Sequence, residues 1–242
     1  MFWQEKPEEK SFEASDEVVD LCFKLECKTL PLDHAWSLSA ALTDAAPWLR
    51  NTAYTAIHLI HGAESGNGWI RPDNTENELL HLSRRARFTL RLHRDNLALA
   101  EQLIGLKLNI GGHPLHIKEF KLQLLVPQTT IFSRYIVTPD GLSEEDFLNY
   151  VAPPIQAQGI QIKKMMGGLP HHFNTPHGRL TTRSLMLSDL EKEESTRLQQ
   201  NGLGDNQLLG MGIFLPHKGI AAVNELNEDL PQEQALKASQ QK

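Results

Sequence analysis

The chain has 242 residues, a length that suits one large domain or two small ones. With 40% hydrophobic and 22% charged residues, it is expected to form an ordinary globular core, and no apolar run is long enough to span a bilayer. The net charge of −6 argues at first against a nucleic-acid partner, but residues 1–17 carry −4 and residues 221–242 carry −2. The segment 18–220 is therefore neutral and can hold a basic stripe that binds phosphate.

The chain ends and the cysteines indicate where the protein works. Residues 1–17 and 221–242 are polar and charged, which predicts mobile tails. The first tail is acidic and lacks the apolar centre of a secretory signal. Cys22 and Cys27 are five residues apart on one predicted strand, so they face opposite ways and are not expected to pair. These features favour a cytoplasmic protein.

The first half of the chain predicts the order strand, helix, strand, strand, helix, strand. Val18 to Cys27 alternates apolar and polar side chains, as a half-buried strand does. Asp33 is a good N-cap for a helix that ends before Pro47, and Asp95 caps a second, shorter helix. The other predicted strands cover residues 55–60, 84–93, 106–110 and 115–125, and residues 62–78 form a long loop.

The same order of elements recurs after Pro127. Ser143 is the predicted N-cap of a helix with an acidic first turn, and a second helix is predicted over residues 189–201. The predicted strands cover residues 131–138, 160–164, 180–187 and 208–214. The sequence therefore predicts an α+β protein of two tandem ferredoxin-like (βαββαβ) domains, residues 18–126 and 127–220, between the two tails.

A glycine-rich segment, residues 198–214, is the feature around which the second half is organised. Its four glycines are Gly202, Gly204, Gly210 and Gly212. Glycine permits positive φ and lets a backbone approach another molecule closely, so RNA could lie against this segment. The structural alternative is a helix C-cap followed by a bulged strand, Leu208 to Phe214, packed against the protein's own core.

Basic side chains supply the candidates for phosphate binding. On the predicted third strand, Arg85, Arg87 and Arg91 fall on one face, opposite an apolar face. A ferredoxin-like sheet leaves one face free of helices, where a row of arginines suits phosphates; the alternative is a solvated face without a ligand. Further candidates for RNA contact are Lys163, Lys164, Arg179 and Arg183.

Two residues near the first helix are candidates for catalysis. His34 follows the predicted N-cap, where the helix dipole attracts an anion, and a histidine beside a phosphate can transfer protons in RNA cleavage. Arg50 follows the same helix and could stabilise a charged transition state. Each could equally be an ordinary surface residue, and His58 and His61 rank below His34. The spacing of His171, His172 and His177 does not match a zinc motif, so no metal site is expected.

Motifs at both ends of segment 18–220 resemble a known family. They are Asp20-Leu21-Cys22-Phe23, Leu30-Pro31-Leu32-Asp33-His34-Ala35-Trp36, Ala40-Ala41-Leu42, Pro47-Trp48-Leu49, Ser195, Leu198-Gln199, Gly202-Leu203-Gly204 and Gly210-Met211-Gly212-Ile213-Phe214-Leu215-Pro216. With two ferredoxin-like halves, the chain resembles the repeat-associated mysterious-protein (RAMP) superfamily. Within it, the chain is most similar to the CRISPR-associated endoribonucleases that cut precursor CRISPR RNA, in their MYXAN subtype.

The resemblance implies a ribonuclease that needs no metal or cofactor. In such enzymes the 2′-hydroxyl upstream of the cut attacks the phosphate, which leaves a 2′,3′-cyclic phosphate and a 5′-hydroxyl. The implied partners are a CRISPR repeat hairpin and other subunits of an effector complex. Relatives often carry Pro-Trp-Leu-His where this chain has Arg50, and basic residues where its glycine-rich segment has Asp205-Asn206-Gln207. The first departure moves the proton-transfer role toward His34.

Three functions remain open from the sequence. The first is an endoribonuclease that matures CRISPR RNA and stays bound to one product. The second is a non-cleaving subunit that holds the repeat hairpin in an effector complex, an option that Arg50 keeps open. The third is a ferredoxin-like metabolite-binding protein, against which the row of arginines argues.

Overall fold

The fold is α+β, as predicted, in a computed structural model that describes residues 16–62 and 78–217. Residues 1–15, 63–77 and 218–242, which include most of the predicted tails and the long loop, lie outside the described residues. The elements of the first half are β1 (Val18–Glu26), β2 (Thr29–Pro31), α1 (Ala35–Ala45), β3 (Ala56–Ile57), β4 (Leu79–His81), β5 (Arg87–His93), α2 (Leu97–Glu101), β6 (Lys107–Ile110) and β7 (His113–Leu124). Those of the second half are β8 (Ile131–Val137), α3 (Glu144–Gln156), β9 (Lys164–Thr175), β10 (Gly178–Ser188), α4 (Lys192–Asn201) and β11 (Leu215–Pro216).

The first half is a five-stranded antiparallel sheet in the order β3-β5-β1-β7-β6. The alternation predicted for β1 is confirmed, because Leu21 and Phe23 are fully buried and lie opposite Leu90 and Phe88 of β5. Buried residues of α1, including Leu42, belong to the same hydrophobic cluster. One face of this sheet is therefore covered by helices, while the other carries the polar members of each strand. A separate two-stranded sheet pairs β2 with β4.

The second half is a four-stranded antiparallel sheet in the order β11-β8-β10-β9. Its core contains Phe147 and Val151 of α3 together with Leu185 of β10. Ser143 caps α3 as predicted, since its hydroxyl accepts a hydrogen bond from the Asp146 N–H at 3.1 Å.

Two strand predictions in the second half are wrong. Residues 160–163 are not a strand; the strand starts at Lys164 and continues to Thr175, so that His171 and His172 lie within β9. Leu208–Phe214 is not a strand either, because it begins with a 3-10 turn, Gln207–Leu209, and then passes through glycines with positive φ. The strand that pairs with β8 is Leu215–Pro216.

The two halves pack against each other through a third hydrophobic cluster. Its buried members are Ala35, Leu59, Tyr135, Phe173 and Met211, which come from both halves. Asn174, at the end of β9, donates from its backbone and its side-chain amide to Asp33 Oδ2, at 2.8 and 3.1 Å. These contacts fix how the sheets meet. None of the helices in the described part of the chain has the length and apolar character needed to cross a membrane.

Candidate nucleic-acid interface

Arg91 joins the two halves and does not face solvent. It is 1% exposed, and its guanidinium donates to both carboxylate oxygens of Asp20 at 2.8 and 2.9 Å. It also donates to the backbone carbonyl oxygens of Gln199 at 2.6 Å and Phe214 at 3.1 Å. We call this group the Arg91 clamp. Because all of its contacts are internal, the prediction that Arg91 binds phosphate is wrong.

The Arg91 clamp also sets the charge of Asp20. Burial of this carboxyl raises its pKa, whereas the positive charge of Arg91 and the hydrogen bonds from Arg91 lower it. The net effect holds the pKa of Asp20 below its ordinary value. Asp20 is therefore a carboxylate at neutral pH, and its ion pair with Arg91 lies under the second half of the chain.

A cleft of about 290 Å³ opens between the halves on the helix-free face of the first sheet. It is lined by Asp20, His58, Leu59, His61, Arg87, Thr89, Gln123, Arg134, Tyr135, Gly210, Ile213 and Leu215. Arg87 comes from β5 and Arg134 from β8, so each half contributes a half-buried guanidinium to the cleft, which also has an exposed imidazole, His61. The two guanidinium groups have the charge and the geometry that suit a phosphate.

His58 lies in the floor of the cleft with a side chain that is 12% exposed. Its Nε2 is 3.7 Å from Asp20 Oδ1, and within the described structure that nitrogen has no hydrogen-bond partner. Burial lowers the pKa of His58 to about 4; the Asp20 carboxylate raises it and Arg91 lowers it further. The imidazole is therefore neutral at pH 7, and its protonation destabilises the folded protein.

The pH dependence of stability tests this account of His58. The unfolded chain takes up a proton at His58 near pH 6.5, whereas the folded protein resists protonation until about pH 4, so stability is full above pH 6.5 and is lost as the pH falls through this window. Between pH 7 and pH 4 the wild type should lose about 3 kcal/mol more unfolding free energy than His58→Gln. Urea denaturation at several pH values measures the difference, and parallel curves for the two proteins would contradict it.

His34 has a structural position. It is 3% exposed, its Nδ1 lies 3.0 Å from the carbonyl oxygen of Pro31, and its Nε2 accepts a hydrogen bond from the Ile60 N–H at 3.1 Å. The tautomer with a proton on Nδ1 satisfies both bonds. A general acid or base must reach the reacting oxygen, and both nitrogens of His34 are occupied inside the protein. His34 thus connects the start of α1 to Ile60 by a hydrogen bond. The structure does not support the catalytic role predicted for His34.

Arg50 lies outside the cleft walls in the part of the chain that the structure describes. It lies within the 3-10 turn Pro47–Asn51, and its guanidinium donates to Thr43 Oγ1 at 2.7 Å and to Asp44 Oδ1 at 2.8 Å. The side chain is 51% exposed. Its contacts hold the 3-10 turn against the end of α1, and the structure does not bring it together with His34 or with the cleft.

The remaining predicted basic residues lie at three places. Arg85 is exposed in the turn before β5, close to the cleft residue Arg87 in sequence. Lys163 pairs with Glu191 at 2.6 Å and Lys164 with Asp189 at 2.8 Å. These hydrogen bonds raise the pKa of both lysines, and both ammonium groups are already partly neutralised by their partners.

Arg179 and Arg183 lie on one surface of the second half. Both line a recess of about 310 Å³ in the second half. Arg183 donates to the carbonyl oxygens of Gly168 at 2.9 Å and Leu142 at 2.7 Å, so it also supports the β9–β10 hairpin. In the same recess the Thr181 hydroxyl donates to Asp140 and lies 3.0 Å from His172 Nδ1.

The glycine-rich segment folds back on itself. Gly202, Gly210 and Gly212 all have positive φ, and a Cβ on any of them would collide with protein: with the Gly212 carbonyl oxygen at 2.7 Å, with Leu59 Cγ at 2.6 Å, and with the Leu203 carbonyl group, respectively. A Cβ on Gly204 would have nothing within 4 Å. Three of the glycines are therefore needed for packing, and Gly204 is the one whose surroundings leave space for a ligand.

Arg134 and Tyr135 line the cleft, but sequence reasoning did not select them. Arg134 is the one charged residue in the strand Ile131–Val137, and this charge was the signal in the sequence that could have identified it. No comparable feature of the sequence indicated that Tyr135 lines the cleft. Its place in the cleft depends on how the second half packs on the first, because its carbonyl oxygen accepts the Gly212 N–H and its ring contacts Phe173.

Comparison with known proteins agrees with this architecture. The family model described as Cas6 Crispr matches residues 19–219. The CRISPR-associated endonuclease Cas6 of Myxococcus xanthus (strain DK1622) is 28% identical over 205 residues, which are 85% of this chain and 84% of that protein. These matches span nearly the whole described part of the chain.

Solved structures show the same fold at low identity. A CRISPR associated protein Cas6 aligns with a TM-score of 0.57 and 13% identity over 84% of this chain and 100% of its own. A Cas6-related protein from Pyrococcus furiosus aligns with a TM-score of 0.56 and 14% identity over 81% of this chain and 97% of its own. An RAMP protein binding different RNA substrates aligns with a TM-score of 0.56 and 12% identity, over 83% of this chain and 100% of its own. The family match and these folds together confirm the resemblance seen in the sequence: the chain belongs to the Cas6 family of CRISPR-associated proteins.

Proposed function

We propose that this chain is an endoribonuclease that cleaves CRISPR repeat RNA without a metal ion and remains bound to its product. Family membership and the endonuclease name of the Myxococcus xanthus relative support repeat-RNA processing. The observation that carries the mechanism is the cleft, where His61 shares one surface with Arg87 and Arg134. These residues supply the proton transfer and positive charge that the reaction needs.

The proposed reaction is transesterification within the RNA. The 2′-hydroxyl upstream of the cut attacks the adjacent phosphorus, the bond from phosphorus to the 5′-oxygen breaks, and the products carry a 2′,3′-cyclic phosphate and a 5′-hydroxyl. We assign His61 as the general acid–base group because it is an exposed histidine in the cleft wall. Arg87 and Arg134, one from each half, stabilise the extra negative charge on the phosphate oxygens in the transition state.

The proposal extends to the domains and the partners. In both sheets the last strand lies beside the first, as in a ferredoxin-like unit: β11 beside β8 in the second sheet, and β7 beside β1 in the first, where β6 follows β7 at the edge. We therefore assign two tandem ferredoxin-like domains with a boundary at residues 126 and 127. The RNA partner is the repeat hairpin, with Arg85, Lys163, Lys164, Arg179, Arg183 and Gly204 as outer contacts. We also propose that the chain works in the cytoplasm and has other subunits of a CRISPR effector complex as partners.

A cleavage assay in EDTA tests the activity. Wild-type protein and end-labelled repeat RNA should give one discrete cut, and the upstream product should end in a cyclic phosphate. His61→Ala should slow single-turnover cleavage by roughly 10²–10⁴-fold while the RNA affinity stays close to that of the wild type. Cleavage that appears only when a divalent metal is added would contradict metal independence, and an unchanged rate for His61→Ala would remove His61 from the mechanism.

His34→Ala is the control for this assay. This variant is expected to have a lower melting temperature, because the Ile60 N–H loses its acceptor and the Pro31 carbonyl oxygen loses its hydrogen-bond partner. A large rate loss in His34→Ala with an unchanged melting temperature would return the catalytic role to His34.

The second candidate function, a subunit that binds without cutting, is favoured by the internal position of His34 and by Arg50 at the position where relatives often have histidine. An RNA mobility shift without any cut in wild-type protein would establish it.

A further inference from the structure

Tyr54 is an exposed aromatic residue in an unfavourable backbone conformation. Its φ is +60°, and among the described residues only Tyr54 and Asp189 combine a side chain with positive φ. For a bulky residue this conformation costs about 1–2 kcal/mol. Asp189 pairs with Lys164, but Tyr54 remains 46% exposed in a turn where asparagine or glycine would be less strained. Strain of this kind at an exposed side chain points to a function of the side chain.

The Tyr54 ring is held in place by a histidine. It stacks on His93, with ring centroids 6.1 Å apart and an angle of 28° between the planes. His93 is in turn fixed by Asp95, whose N–H donates to its Nδ1 at 3.4 Å. A ring supported in this way loses little further freedom when a flat ligand stacks on it.

The stacked pair lies beside the glycine-rich segment. Tyr54 shares a cavity of about 20 Å³ with Gly202, Gln207 and Ile213, and Ile213 also lines the cleft that holds His61. The two openings are thus neighbours that meet at Ile213. An RNA strand that follows the proposed path through the cleft and across the segment reaches Tyr54 next.

The same cavity holds hydrogen-bonding groups that the protein leaves unused. Thr55 Oγ1 and Gln200 Nε2 line it, are buried, and have no partner within the described residues. A volume of about 20 Å³ admits one water molecule, which could connect these groups to the polar edge of a ligand at Tyr54. A flat ligand with a polar edge has the chemistry of a nucleobase.

We propose that Tyr54 is a stacking site for an unpaired base of the bound RNA, with His93 supporting the ring from behind. This inference depends on the proposed function, because it assumes that the chain binds repeat RNA. Stacking of one base on an aromatic side chain is sequence-tolerant, and removing the ring reduces affinity by about 5- to 150-fold. The site positions RNA beyond the cleft and takes no part in proton transfer.

Matched variants test the stacking site by repeat-RNA affinity. Tyr54→Ala should weaken binding by about 5-fold or more, whereas Tyr54→Phe, which keeps the ring, should bind as the wild type does. Tyr150→Ala is the control, because Tyr150 is a comparably exposed tyrosine, 50% accessible, on α3. Equal affinities for Tyr54→Ala and Tyr150→Ala would overturn the inference.

A glycine at position 54 separates binding from folding. Tyr54→Gly relieves the left-handed strain, so its melting temperature should not fall, yet its RNA affinity should drop as in Tyr54→Ala. Wild-type affinity in Tyr54→Gly would also overturn the inference. If the wild-type protein binds no repeat RNA, the proposed function itself is wrong, an outcome distinct from normal binding by the Tyr54 variants.

Discussion

Gly212→Ala is expected to destabilise the protein by about 3–5 kcal/mol. Its φ is +70°, and an added Cβ would overlap the carbonyl oxygen of Leu203 and lie 3.0 Å from the Leu203 carbonyl carbon. Backbone cannot move aside as the end of a flexible side chain can. The two hydrogen bonds made here, Leu203 N–H to the Gly212 oxygen at 2.9 Å and Gly212 N–H to the Tyr135 oxygen at 2.6 Å, would be strained together.

Gly204→Ala is the matched control for this change. Gly204 also has a positive φ, +78°, but a Cβ there would meet nothing within 4 Å. It should cost only the left-handed penalty, about 1–2 kcal/mol. Urea denaturation of both variants measures the difference, and equal losses would show that backbone conformation, and not the collision with Leu203, decides the requirement for glycine.

Arg91→Met should destabilise the protein by about 3–5 kcal/mol, because it removes one partner of a buried ion pair. The change leaves the Asp20 carboxylate without its buried counter-charge and the carbonyl oxygens of Gln199 and Phe214 without their donor. Since the Arg91 clamp joins the halves, the RNA binding proposed for the cleft between them should weaken as well. Chemical denaturation and a repeat-RNA binding assay measure the two effects.

Two further variants identify the cause of that loss. Arg87 lies on the same face of β5, but among the described residues its guanidinium donates only to the nearby carbonyl oxygens of Arg84 and Ala86. Arg87→Met should therefore cost less than about 1 kcal/mol of stability. Adding Asp20→Asn to Arg91→Met removes the unpaired charge and should recover part of the stability. A single Arg91→Met variant as stable as Arg87→Met would contradict the assigned role of the Arg91 clamp.

Local patterns predicted the elements whose causes are local. The alternation of β1, the Ser143 cap and the order of the main elements follow from side-chain period and capping chemistry, and the structure contains them together with an unpredicted pair of short strands, β2 and β4. The end of the chain was harder to predict. Residues 208–214 are apolar enough for a strand, but Gly210 and Gly212 adopt positive φ and the strand forms only at Leu215.

The candidate site depends on tertiary contacts that the spacing of residues in the sequence does not reveal. Periodicity correctly put Arg87 and Arg91 on the same face of β5, but only the packing of the second half decides that one lines a cleft and the other is buried. Likewise, the burial of His34 depends on residue 60, which is distant in sequence. Charge patterns identify a surface, whereas tertiary packing decides which of its residues a ligand can reach.

The Arg91 clamp has a consequence for how the protein is made. A ribosome completes the first sheet, including Asp20 and Arg91, well before it adds Gln199 and Phe214, which supply the last two acceptors. During synthesis the nascent first half can therefore hold its ion pair in water, where such a pair costs little. A chain that stops before Phe214 lacks one acceptor of the Arg91 clamp and the strand that pairs with β8, so its second half should be held less firmly against the first.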